Sequence, residues 1–214
     1  MAERGQSSVS TVILADGAFP THPEPLRRLS EAEQVVCCDG AALKLLAAGR
    51  EPDWIAGDLD SLPPELKHRF AARLIHNPDQ ESNDLAKAFD FCRSRNRLRN
   101  LTILGGTGLR EDHTLGNIAL LADFAKAAPE IAMVTDCGDF AVALGSGEFA
   151  ARPGQQISLF SFDPAMTISS GGLKYPLRNL KLRTWWQAAL NEATGTTFRL
   201  EFSGSSPVLI YRAF

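Results

Sequence analysis

Long apolar runs are missing from this chain: its best stretches, residues 12–15 and 118–122, fall far short of the ~20 residues a membrane helix needs. No membrane-spanning helix is expected. The opening Met1 to Ser8 lacks the basic start and apolar run of a secretory signal, which points to a cytoplasmic protein. An excess of charge of either sign is also missing. With 22 Lys+Arg against 25 Asp+Glu, the net charge of −3 excludes nucleic acid or an anionic membrane as the main partner. A bound polyanion must then be held locally. Cysteine is scarce, and Cys37, Cys38, Cys92 and Cys137 lie at spacings that fit no zinc knuckle. They are expected as reduced thiols packed like small hydrophobes. Repeats and low-complexity segments are absent as well.

What remains is a chain of 214 residues, 44% hydrophobic and 22% charged, long enough for one large domain or two small ones and able to bury a core. The first two thirds repeat one rhythm. Short apolar runs at 11–15, 34–38, 54–56, 73–76, 101–104 and 131–135 alternate with segments of helical period at 24–33, 41–48, 65–72, 82–95 and 114–127. Alternation of this kind predicts an α/β fold with a parallel sheet covered on both faces. After about residue 140 short alternating runs take over. Residues 144–149 read as a hairpin, Pro153-Gly154 as a turn, and Phe198, Leu200 and Phe202 as one face of a strand whose other face carries Thr197, Arg199 and Glu201. The division expected is an α/β domain over 1–139 followed by a smaller β-sandwich-like domain over 140–214.

The strand ends gather the chemistry. Asp16-Gly17, Asp39-Gly40, Gly57-Asp58, Asn77-Pro78-Asp79, Gly105-Gly106 and Asp136-Cys137-Gly138-Asp139 all follow an apolar run, and ligands bind at the carboxyl ends of strands in open α/β sheets. In extended chain the carboxylates of Asp58 and Asp60 point the same way. At ~5 Å they would repel by about 3 kcal/mol at an effective dielectric of 20. A Mg²⁺ ion, which takes one or two carboxylates plus phosphate oxygens, would relieve that, although a solvated turn fits the pair alone as well. Further on, Ser82 can cap a helix whose first turn carries Asp84 and Lys87 three residues apart, either as an ordinary ion pair or as a metal carboxylate beside a phosphate-binding lysine. Residues 104–115 read as strand, glycine loop and helix start, with Arg110 offering a fork to phosphate oxygens. No Gly-Lys-Ser/Thr follows and the Rossmann glycine spacing is missing, so neither standard nucleotide loop is present. His113 fits a hydrogen-bonding partner better than a proton carrier. Ser146 and Ser158 lack a nucleophile elbow. Trp185 and Trp186 read as one core and one interface residue, and Arg93, Arg95, Arg97 and Arg99 as a solvated helix end.

Taken in order, Asp39-Gly40, Gly57-Asp58-x-Asp60-Ser61, Asp79-Gln80-x-x-x-Asp84-x-x-Lys87, Gly105-Gly106 with Arg110-x-Asp112-His113, and the stretch 172–177 resemble the thiamine pyrophosphokinase family from about residue 13 to 192. The resemblance implies a homodimer with active sites at the subunit interface and Mg²⁺-dependent transfer of pyrophosphate from ATP to thiamine. Carried over by position, Asp58, Asp60 and Asp84 are the metal carboxylates, and Lys87 and Asp112 join them in the catalytic set. The implied ATP contacts are Asp39, Gly40, Ser61, Asp79, Gln80, Gly105, Gly106, Arg110 and His113. Tyr175, Leu190 and Asn191 fall on the thiamine side. Two positions depart from the family: Asn83 stands where Thr is usual, and Leu190 replaces the Ser of a Ser-Asn pair. Two rivals stay open. One is a nucleotide-sugar glycosyltransferase using the same D-x-D metal site, the other a non-catalytic module binding nucleotide or thiamine.

Overall fold

The computed structural model describes residues 10–214, so the Met1 to Ser8 segment lies outside the described residues. The chain divides into two compact units, one comprising residues up to Leu120 together with Met133–Asp136, the other Leu121–Ala132 together with Cys137–Phe214.

The first unit runs β1 (Thr11–Leu14), α1 (Pro23–Glu31), β2 (Gln34–Cys38), α2 (Ala41–Ala47), β3 (Trp54–Gly57), α3 (Pro64–Arg69), β4 (Leu74–His76), α4 (Asp84–Ser94), β5 (Leu101–Leu104), the start of α5 (Glu111–Phe124), and β6 (Ala132–Val134). The strands stand in the order β6-β5-β1-β2-β3-β4, and the pairs β5-β1, β1-β2, β2-β3 and β3-β4 are parallel. Every residue of β1 and β5 is buried, as expected where helices cover both faces of a sheet. Helix α4 lays Leu85, Ala88, Phe89 and Cys92, spaced three and four apart, against β1, β2 and β3. That packing brings its N-terminus to the carboxyl ends of the strands.

The helix begins one residue later than its sequence suggests. Asn83, not Ser82, is the N-cap, with Oδ1 accepting from the Ala86 amide at 2.9 Å, while the Ser82 hydroxyl donates to Asp79. Both residues suit a cap, and the deciding factor is the Asp79 carboxylate, which draws Ser82 away. Helix α5 starts three residues earlier than its apolar period suggests, because the Arg110 carbonyl already accepts from the Thr114 amide at 3.0 Å. Cys37, Cys38 and Cys92 are buried, as expected, and burial pushes their thiols up, that of Cys92 to about 12. Cys137 departs from the expectation and is exposed.

The second unit holds the remaining strands β7 (Gly138–Ala143), β8 (Gly147–Ala150), β9 (Gln156–Ser161), β10 (Thr167–Gly171), β11 (Leu180–Lys181), β12 (Asn191–Glu192), β13 (Thr197–Phe202) and β14 (Val208–Ala213). They form two antiparallel arrays, β12-β9-β14-β7 and β11-β10-β13-β8. Ile157, Leu159, Val208 and Ile210 of the first array share one core with Ile168, Phe198 and Leu200 of the second. Residues 144–149 are therefore not a hairpin: β7 pairs with β14, β8 pairs with β13, and the connection carries the chain from one array to the other. A three-residue Leu-Gly-Ser connection looks the same in sequence whether the strands pair or part. At residues 152–155 Pro153-Gly154 does form a turn, with Gly154 at φ 79° and the Gln155 amide donating to Arg152 O at 2.9 Å. Neither neighbouring tryptophan belongs to the core. Trp186 is 76% exposed, and Trp185 sits edge-on to Phe160 and Phe162 while still 42% exposed.

Candidate active site

A cleft of ≈480 Å³ opens at the carboxyl ends of the first unit's strands. Asp16 and Gly17 after β1, Asp58 and Ser61 after β3, the α4 N-terminus and the loop after β5 line it.

Asp39, Asp58 and Asp60 each bring a carboxylate oxygen within 4.8 Å of the other two. Asp58 and Asp60 converge by a different route from the extended chain their spacing suggested. Leu59 turns at φ 66°, and the Asp60 amide donates to Asp58 Oδ1 at 3.3 Å. That bond, together with the Gln80 amide at 3.3 Å and the charge of Lys87, holds the Asp58 carboxyl below the usual range against the effect of burial. Asp39 is 2% exposed, so its environment is harsher. Its Oδ2 accepts from the Ser61 amide at 3.0 Å, whereas its Oδ1 is buried without a partner. Burial raises its pKa, opposed by the Ser61 bond and reinforced by Asp84, Asp58 and Asp60. A buried, unpaired carboxylate oxygen beside two further carboxylates is a donor set that suits a hard divalent cation.

Asp84 stands outside this trio and faces Lys87, whose Nζ lies 3.3 Å from Asp84 Oδ1 and 3.9 Å from Asp58 Oδ2. Lys87 is 5% exposed, a buried ammonium between two acids at one wall of the cleft. Gly57 makes the close approach possible: a Cβ there would lie 3.0 Å from Asp84 Oδ1 and 3.1 Å from Asp39 Cβ. The structure thus gathers Asp39, Asp58, Asp60, Ser61, Gln80, Asp84 and Lys87. Of the trio only Asp58 lines the cleft itself, with Asp39 and Asp60 joined to it by proximity, and Asp79 belongs to neither group. It is exposed, and the Ser82 hydroxyl and the Glu81 amide lower its pKa.

In the loop after β5 Gly105 turns at φ 63°, with its carbonyl accepting from the Gly17 amide at 2.8 Å, and any Cβ would come 2.5 Å from Ala15 O. Gly106 follows in the lining, as do Arg110 and His113. Arg110 is not free. It forks onto Asp112, with Nη2 to Oδ2 at 2.6 Å, and this bond lowers Asp112 to about 2. Gly40 caps α2 and lies so near Asp16 that a Cβ would meet its carboxylate at 2.6 Å.

In the second unit the Asn191 side chain is buried and fastened to backbone. Its Oδ1 accepts from the Tyr175 and Glu192 amides at 3.1 and 2.9 Å, and its Nδ2 donates to Tyr175 O at 2.7 Å. Leu190 is 72% exposed at φ 58°, with its amide donating to Ser158 Oγ at 3.0 Å. Tyr175 is exposed. Sequence reasoning missed Ser158 in this role, the place of Asp39 in the carboxylate trio, and Asn117, a buried polar side chain of the cleft. The available signal for the last was an asparagine between Leu115 and Ile118 in an otherwise apolar helical stretch.

Known proteins resemble this chain in sequence and in fold. Residues 26–133 match the model of the thiamin pyrophosphokinase catalytic domain, and residues 138–211 match that of the thiamin pyrophosphokinase substrate-binding domain. Thiamine pyrophosphokinase of Bacillus subtilis (strain 168) is 30% identical over 175 residues, 78% of this chain and 81% of its own. Thiamin pyrophosphokinase 1 of Caenorhabditis elegans is 26% identical over 196 residues, 85% of this chain and 79% of its own. In fold, the chain is similar to the crystal structure of the Bacillus subtilis protein (TM-score 0.76, 24% identity, 94% and 98% of the two chains). It is similar also to that of yeast thiamin pyrophosphokinase (TM-score 0.78, 18% identity, 98% and 88%). Matched by family models over both its units, the chain belongs to the thiamin pyrophosphokinase family of enzymes.

Proposed function

We propose that this chain transfers pyrophosphate from ATP to thiamine, forming thiamine diphosphate and AMP, with Mg²⁺ bound by Asp39, Asp58 and Asp60. The observation that carries this reading is the trio of carboxylates with one buried, unpartnered oxygen, of which Asp58 lines a cleft whose walls also supply a buried lysine and glycine backbone. When bound there, the ion would neutralise phosphate charge and orient the oxygens of the nucleotide. Lys87 takes a phosphate oxygen from its pocket between Asp84 and Asp58, and the backbone after β5 receives the rest of the triphosphate. Arg110, already held by Asp112, approaches from the open side. The hydroxyl of thiamine attacks the β-phosphorus, a new P–O bond forms, the bond to the α-phosphate oxygen breaks, and AMP leaves. A loose phosphoryl-transfer transition state asks little of a base. Asp112, lowered to about 2, is a weak one, so the proton passes to solvent.

In this reading thiamine is received through Tyr175, Leu190 and Asn191, with Asn191 fixing the Tyr175 backbone, and the working form is a homodimer with its active sites at the subunit interface. The family matches speak for pyrophosphate transfer over sugar transfer. The test is AMP release from ATP and Mg²⁺ with thiamine present and absent. Thiamine-dependent AMP supports the proposal, and AMP formation indifferent to thiamine rejects it.

A further inference from the structure

We propose that Asn117 is a positioning residue that fixes the separation between the two walls of the cleft, an inference that rests on the pyrophosphotransfer reading. Its side chain is 8% exposed and bonded at both ends. Nδ2 donates to Gly106 O at 2.9 Å, on the glycine wall. Oδ1 accepts from Asn83 Nδ2 at 3.0 Å, on the wall formed by α4. Asn83 then turns its own Oδ1 to the Ala86 amide at 2.9 Å, and its carbonyl accepts from the Lys87 amide at 3.1 Å. Donors and acceptors alternate along the whole chain, so only one orientation of each amide satisfies it: the Gly106 carbonyl can only accept and the Ala86 amide can only donate.

Neither asparagine needs to touch the substrate for this to matter. Gly106 belongs to the loop that faces the phosphates in the proposed reaction, and Lys87 and Asp84 stand on the first turn that Asn83 caps. A triphosphate gripped from both sides is sensitive to the distance between the grips. The residue at 83 decides whether the tie exists. A threonine there retains an oxygen for Ala86 but has no second arm to reach Asn117, so the Asn83–Asn117 bond separates capping from positioning.

The experiment is a double-mutant cycle of Asn83→Thr, Asn117→Ala and the pair, measured as kcat and KM for ATP with the thermal midpoint recorded for each. Asn83→Thr keeps the cap and should melt close to the unsubstituted protein, which keeps the test valid if Asn117→Ala folds poorly. Each single change should raise the KM for ATP roughly three- to tenfold, and the pair should be no worse than Asn117→Ala alone. Effects that multiply in the pair, or an unchanged KM in both singles, would overturn the proposal. Amide hydrogen exchange at Gly17 and Ala18, which donate to Gly105 O and Thr107 O at 2.8 Å, gives a readout independent of turnover. If the unsubstituted protein forms no AMP, the pyrophosphotransfer reading fails and exchange alone decides the tie. Faster exchange in Asn83→Thr supports it, and unchanged exchange overturns it.

Discussion

The ammonium of Lys87 lies 3.3 Å from Oδ1 of Asp84, three residues before it on α4, and the lysine is almost wholly buried. A buried cation is stable only with its counter-charges, and the second of these, Asp58 at 3.9 Å, is itself a member of the Asp39, Asp58 and Asp60 trio. Lys87→Met keeps the volume and removes the charge. It should lower kcat by about a hundredfold or more through the lost phosphate contact, and lower the urea unfolding free energy by about 1–3 kcal/mol, moderated because Asp84 keeps some solvent. A kcat within threefold of the unsubstituted value would show that Lys87 serves the fold alone.

Asp39 predicts a pH effect with a definite sign. Burial raises its folded pKa, so the folded chain holds this proton to a higher pH than the unfolded chain. The stability linked to it is complete below the unfolded pKa of about 3.9 and is lost as pH rises through the folded value. At pH 7 in EDTA, Asp39→Asn should therefore be more stable than the unsubstituted protein, and the difference should close as pH falls toward the unfolded value. The same variant should lose activity. Equal stability of the two proteins at pH 7 and pH 4 would contradict the burial argument.

Arg110 and Asp112 are both exposed, so their pair is not expected to hold the fold. Arg110→Ala should leave the thermal midpoint within a degree or so and raise the KM for ATP about ten- to a hundredfold. An unchanged KM together with an unchanged kcat would remove Arg110 from the nucleotide site.

Leu190 occupies left-handed backbone, where a side chain is strained, and its leucine is exposed at the position where the family resemblance implies a serine. Leu190→Gly should stabilise the second unit by about 0.5–1 kcal/mol. Leu190→Ser should tighten thiamine binding by about 0.5–1.5 kcal/mol if a net hydrogen bond is regained. Calorimetry showing no gain for serine, with ATP affinity as the control, would withdraw Leu190 from the acceptor side.

The α/β rhythm was legible because buried parallel strands read as apolar runs and the residues just after them as glycine and aspartate. Asp58, Asp60, Asp84 and Lys87 were legible for the same reason: each is close to a strand end or a helix start. The parting of β7 and β8 was not, since a three-residue connection carries no record of which sheet the next strand joins. Nor was the place of Asp39 among the acids, which depends on β2 and β3 being neighbours and on Leu59 turning the chain back. Asn117 was hidden because its meaning lies in Gly106 and Asn83, 11 and 34 residues away in sequence.

The central claim is tested most directly by following ATP, AMP and thiamine diphosphate together by chromatography, with purified protein, Mg²⁺ and thiamine. AMP and thiamine diphosphate should appear in equal amounts, cease in EDTA and cease in Asp60→Asn while that variant melts normally. ADP in place of AMP, or undiminished turnover in Asp60→Asn, would contradict the account.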